Sequence, residues 1–374
     1  MILQLLIILG LLSLLVILHE LGHFWAAKLT RVHIEEFGLG YPPRARKLFI
    51  WRGTLFSLNW IPFGGFVKLA GELGEAQPVK LKSSPGRQPG PFYARSARAR
   101  LLVISAGALA NLVVGIVAFT IVFSVAGIPL TEPRISQIAA DSPAAQASVP
   151  ANVNVVELKF ADKTIKTPTT EAVIATVNQH RGETVTIVTT GPCERLKCDQ
   201  QTAEFTARIR LPEETSADQG ALGITFNSTI FFPWYEMPIR ATWYGILQTW
   251  ALAELTLSSL GNMLVNLIAH RVVPEEVAGP VGIVYQTYKS NIINEGWLSI
   301  INYCGLISVS LAIMNLLPIP ALDGGRAIFI LLEKIIGRNK SMQLELVVTN
   351  GGYVLLLALI ILVTMRDVWS IVKG

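Results

Sequence analysis

The chain has 374 residues, 51% of them hydrophobic and 15% charged, against about 25% charged in soluble domains. That deficit, with a mean hydropathy of +0.49, excludes an ordinary soluble enzyme and also a disordered chain, which needs low hydrophobicity and high charge. The formal net charge of +5 is too modest to mark nucleic acid as a partner, and three cysteines allow at most one disulfide.

A bilayer-spanning helix needs roughly 20 largely uncharged residues. Four stretches qualify, over 1–27, 101–127, 297–325 and 346–366. The first opens MILQLLIILG, with no basic leader and no small-residue cleavage site after it, so it reads as a retained span. Residues 28–100 carry 13 Lys/Arg against 4 acidic residues, and 326–340 carry 4 against 1, whereas 128–244 carry 10 against 13. The positive-inside rule then places the loops 28–100 and 326–345 in the cytoplasm and the 128–244 segment outside. Tyr244 to Ile268 is apolar too, but it holds Glu254, Asn262 and Asn266 at amphipathic spacing. We read it, within an outer segment 231–296, as helix lying on the membrane surface. The expected fold is a multi-pass α-helical membrane protein with four transmembrane helices and a small α/β domain between the second and third.

That inserted domain covers 128–230. A strand-like run at Val153 to Phe160, a helix candidate at Thr170 to His180 and alternation over Thr184 to Thr189 mark it as mixed α/β. Its order, with Asp141-Ser142-Pro143-Ala144-Ala145-Gln146-Ala147 ahead of the first strand, resembles a PDZ domain of the bacterial protease type. Ser148-Val149-Pro150-Ala151-Asn152 stands where that pattern has Gly and Asp. Cys193 and Cys198 can close a hairpin as a disulfide in an oxidising compartment or stay free on a surface loop. Cys304, inside the third span, reads as a small packing residue.

The chemistry sits inside the first span, at His19-Glu20-Leu21-Gly22-His23. On a helix, residues four apart share a face, so His19 and His23 can reach one metal while Glu20 sits beside the reacting water as general base. Neutral imidazoles suit Zn²⁺. Lys28, the first basic residue, comes nine positions after His19. At 1.5 Å per residue, the motif lies about 13 Å inside the boundary, where ionisable groups are costly. Ala26 and Leu29 stand where a metzincin has glycine and its third histidine. His33, Glu35 and Glu36 lie beyond the basic boundary, which leaves Asp323 as the third ligand. It follows Pro318 and Pro320, which interrupt the helix, and precedes Gly324-Gly325, which permit unusual backbone geometry. Spans one and three both run inward, which brings Asp323 to the depth of the histidines.

With the PDZ-like insertion, His19-Glu20-Leu21-Gly22-His23 and Asn315 to Gly325 resemble the site-2 protease family of intramembrane zinc metalloproteases. The resemblance extends to Phe37-Gly38-Leu39-Gly40, Pro62 to Lys68, Ala106 to Asn111 and Gly279 to Ile283. It implies Zn²⁺ on His19, His23 and Asp323, Glu20 as catalytic base and Asn315 as a holder of the substrate backbone. It also implies a membrane-associated hairpin at Gly64, Gly65 and Phe66 whose edge pairs with an unwound substrate. Further implications are residence in the bacterial cytoplasmic membrane and substrates such as a single-span anti-sigma factor, already cut by another protease, or a remnant signal peptide. Ser310 stands where the bacterial pattern has a further asparagine, and one of its two tandem PDZ domains is missing. Two other readings stay open: a CAAX-type membrane zinc protease, which takes a glutamate as third ligand, and a non-catalytic scaffold, which has no need of Glu20.

Overall fold

A computed structural model describes residues 2–72, 90–194, 197–215, 220–270, 282, 285, 287, 289, 292 and 295–373. Part of the expected loop 28–100, part of the segment 231–296, and Gly279 to Val281 with Ile283 lie outside the described residues. The chain forms two compact units, Met1–Ile121 with Gly245–Gly374, and Val122–Tyr244.

Helix α1 (Ile2–Leu29) lies in the first unit, and α2 (Ala97–Ala126) begins in it and runs on to Ala126; both are continuous. Four helices among the described residues are long and apolar enough to cross a membrane: Leu6–Leu29, Ala97–Ala126, Trp297–Leu316 and Arg338–Trp369, with mean hydropathies from 1.7 to 2.5. The helix Met237–His270 is not one of these four.

The expected third span divides in two. Helix Trp297–Leu316 stops because Leu317 precedes Pro318 and takes an extended conformation with ψ 148°. A second helix starts at Asp323 and runs to Ile336, where Gly337, at φ +80°, ends it. The last helix begins at once, over Arg338–Lys373. The connection expected over 326–345 is therefore itself helical.

Strands β1 (Ile34–Trp51) and β2 (Thr54–Leu69) form an antiparallel hairpin long enough to fold back on itself. Its register gives a four-segment strip in the order 44–51, 54–59, 34–39, 65–69, with bends at Pro42-Pro43 and at Trp60 to Phe63. Phe24, Ala27, Ile34, Phe37, Leu69, Val103, Ile104 and Ile330 form one buried cluster joining α1, the hairpin, α2 and Asp323–Ile336. Arg100, 5% exposed, crosses this cluster to Glu333, with Nη1 2.6 Å from Oε1.

The second unit is α/β. Strands Val155–Lys159, Thr164–Lys166, Thr184–Thr190 and Thr202–Arg208 form an antiparallel sheet, and Ile128–Ile138 pairs with Ile224–Ile230. Ile135, Val153, Leu158, Val173, Val185, Ile187 and Ile209 fill its core against the helix Thr170–Gln179. Cys193 and Cys198 are joined by a disulfide across a two-residue ladder, so the bridged alternative is the one observed. The short helix Pro143–Gln146 ends in a Schellman motif: Ser148 N donates to Ala145 O and Val149 N to Ala144 O. Ser148 and Asn152 have φ +55° and +62°. The stretch Ser148 to Asn152, which stands where the expected pattern has Gly and Asp, thus begins and ends on left-handed backbone.

Candidate metal centre

The site is assembled from four pieces of chain, each held for a separate reason. Helix α1 presents His19 and His23 on one face, with side chains 10% and 12% exposed, and Glu20 beside them. Helix α2 crosses at Gly107, where a Cβ would lie 2.4 Å from His23 Nε2 and 2.5 Å from His19 Nε2. Only glycine leaves room there. The same helix orients His23, whose Nδ1 donates to Val103 O at 2.7 Å, and brings Asn111 Nδ2 to 3.4 Å from His19 Nδ1.

Asp323 occupies the first turn of its helix, an end that favours a carboxylate. Gly324 and Gly325, expected to permit unusual backbone geometry, lie in the first turn of this helix with ordinary helical backbone. They permit close approach instead: a Cβ on Gly324 would meet Leu317 O at 2.2 Å, and one on Gly325 would meet Ile319 O at 2.3 Å. The helix start is thereby tucked under the 317–322 connection, and Asp323 turns back to α1.

His19 Nε2, His23 Nε2 and Asp323 Oδ2 form a nearly equilateral triangle, with sides of 3.1, 3.1 and 3.2 Å. A tetrahedral zinc with bonds near 2.0–2.1 Å separates its ligand atoms by about 3.3 Å, so this donor set fits that ion. His19, Glu20 and His23 also offer ligand atoms within 4.8 Å of one another. His33, Glu35 and Glu36 stay out of the cluster; Glu35 pairs with Lys68, and Glu36 with Arg44 and Ser57.

Glu20 is held by a group that no side-chain motif announces. Its Oε2 accepts the main-chain N–H of Val67 at 3.0 Å. Val67 lies on the 65–69 segment, an edge of the hairpin strip. A cavity of about 470 Å³ joins His19, Glu20, His23, Phe66, Asn111, Asn315 and Asp323. Gly64, at φ +66°, and Gly65 are buried just before Phe66; a Cβ on Gly65 would meet Gly38 O at 2.8 Å, so these glycines serve close strand approach.

Reading the sequence missed Val67, Val103, Gly107 and Asn111. The first two act through the main chain, which leaves no trace in side-chain identity. Gly107 and Asn111 did leave one, since their spacing of four puts both on one face of α2.

The chain is similar to known proteins over nearly its whole length. The chain is 30% identical over 359 residues to a Clostridium acetobutylicum protein named "Putative zinc metalloprotease", covering 95% of this chain and 94% of that one. A Rickettsia conorii protein of the same description is 27% identical, with 96% of each chain covered. The "Regulator of sigma E protease" of Haemophilus influenzae is 26% identical, covering 95% of this chain and 96% of its own. The model of peptidase family M50 matches residues 7–359. With nearly its whole length inside that match, this chain belongs to peptidase family M50, as the resemblance to site-2 proteases led one to expect.

Proposed function

We propose that this zinc metalloprotease cuts single-span membrane proteins inside the bilayer, with His19, His23 and Asp323 holding the metal and Glu20 serving as the general base. The observation that carries the reading is the triangle of His19, His23 and Asp323 donor atoms, with Glu20 at its side on an apolar helix long enough to span. When bound, zinc supplies Lewis acidity and makes a nucleophile available from water near neutral pH. Glu20 takes a proton from the attacking water at Oε1 or Oε2 and returns it to the leaving amine, while the Val67 N–H keeps its carboxylate in place.

A helical substrate must unwind before its peptide bond can be attacked. Asn315, on the cavity wall, holds the extended backbone in this proposal, and residues 64–66 offer the strand edge that pairs with it. The Val67 N–H is already engaged by Glu20.

We place the enzyme in the bacterial cytoplasmic membrane, with four spanning helices, the α/β unit as a PDZ-like domain on the extracytoplasmic side, and segment 231–296 along that surface. The charge distribution supports this orientation. The name of the Haemophilus influenzae relative supports an anti-sigma factor, already shortened by another protease, as the kind of substrate.

The test is cleavage of a model single-span substrate in detergent by the wild type, Glu20→Gln and Asp323→Asn. Glu20→Gln should keep its zinc and lose cleavage by about 10²–10⁴-fold, and Asp323→Asn should lose zinc. Wild-type cleavage by Glu20→Gln would overturn the mechanism.

A further inference from the structure

We infer that Asn111 is a positioning residue: it holds His19 in the tautomer that turns Nε2 to the metal, through its side-chain oxygen and with its amide rotated about 180° from the orientation described above. The inference rests on the zinc reading of the His19, His23 and Asp323 triangle.

Both histidines present Nε2 to that triangle. A neutral imidazole that gives its Nε2 lone pair to a metal carries its proton on Nδ1, and that N–H needs an acceptor. For His23 the acceptor is present, since Nδ1 lies 2.7 Å from Val103 O, a group that can only accept.

His19 faces a different partner. The atom near its Nδ1 is Asn111 Nδ2, at 3.4 Å. An amide NH₂ can only donate, so in the metal-binding tautomer two donors would face each other. Meanwhile Asn111 Oδ1 is buried without a hydrogen-bond partner among the described residues, on a residue 1% exposed. A buried amide oxygen left unpaired costs about 1–3 kcal/mol.

One rotation ends the meeting of two donors and pairs the oxygen, with the NH₂ moved to the place that Oδ1 held. The amide O and N are nearly the same size, so their exchange keeps the packing and sets Oδ1 against His19 Nδ1–H. The residue itself is anchored, because Ser308 Oγ donates to Asn111 O at 2.8 Å and ties α2 to the helix Trp297–Leu316. Helix α2 thereby orients both histidines, through Val103 and Asn111, on either side of Gly107.

The test is zinc affinity of the full chain in detergent micelles, measured by competition with a chromophoric chelator for the wild type, Asn111→Leu and Asn111→Asp. The cobalt-substituted absorption spectrum serves as a second readout of ligand geometry. Asn111→Leu keeps the volume and removes the acceptor, so affinity should fall about 10–100-fold. Asn111→Asp keeps an acceptor at that place and should bind zinc within about threefold of wild type or more tightly, with the wild-type cobalt spectrum. Wild-type affinity in Asn111→Leu overturns the inference. So does a loss of about tenfold or more in folded Asn111→Asp, which decides the matter alone if Asn111→Leu does not fold. A wild type that binds no zinc instead overturns the metal assignment itself.

Discussion

Glu20 Oε2 lies 3.0 Å from the main-chain nitrogen of Val67, 47 residues further along the chain. Strand β2 therefore steadies the carboxylate of α1 from the side on which Phe66 lines the cavity. Hydrogen bonds to charged groups are worth about 1.5–3 kcal/mol. Val67→Pro deletes this N–H without taking a ladder bond from β1. It should lower kcat by roughly 10–100-fold with zinc content unchanged, as steady-state cleavage and metal analysis would reveal. Unchanged kcat would show that Glu20 needs no such support.

Gly107 marks the closest approach of α2 to the imidazoles. Gly107→Ala should abolish stoichiometric zinc, because its Cβ would lie 2.4–2.5 Å from both Nε2 atoms. Gly10→Ala on α1, where a Cβ meets nothing within 4 Å, should keep full zinc and gain about 0.5–1 kcal/mol of helix stability. Zinc measured per purified chain separates the two.

Arg100 and Glu333 are 5% and 13% exposed and bonded in a fork. Breaking one partner of a buried pair costs about 3–5 kcal/mol, because the other charge stays buried alone. Glu333→Gln should lower the thermal midpoint in detergent by several degrees. Arg100→Met with Glu333→Leu should recover most of that loss, and additive losses would exclude the coupling.

Ser148 holds a left-handed backbone at φ +55° after the helix Pro143–Gln146. That conformation costs a non-glycine residue roughly 1–2 kcal/mol. Ser148→Gly should therefore slow hydrogen exchange at the buried amides of Val155–Lys159 and Thr184–Thr190. Faster exchange would mean that unfolded-state entropy outweighs the relieved strain.

The Cys193–Cys198 bridge closes a short loop, with a sequence separation of 5. On chain-entropy grounds a loop of that size contributes about 2 kcal/mol. Cys193→Ser with Cys198→Ser should speed exchange in the strands of the Val122–Tyr244 unit and leave the amides of α1 unaffected.

Sequence alone carried the local and periodic features. Apolar runs of bilayer length, the i, i+4 spacing of His19 and His23, and the helix break at Pro318 are written in consecutive residues. Asp323 was also within reach, because charge asymmetry oriented the spans and brought it to the right end. The same reading marked the break at Pro318 but not the new helix that opens at Asp323, where Gly324 and Gly325 pack against Leu317 O and Ile319 O. Nor could it find the groups that aim the site. Val67 N–H and Val103 O belong to the main chain and are the same in every residue, so only tertiary structure decides which of them meets Glu20 and His23. Asn111 is the intermediate case, because its side chain was visible all along, but its use depends on α2 passing His19 within hydrogen-bonding reach.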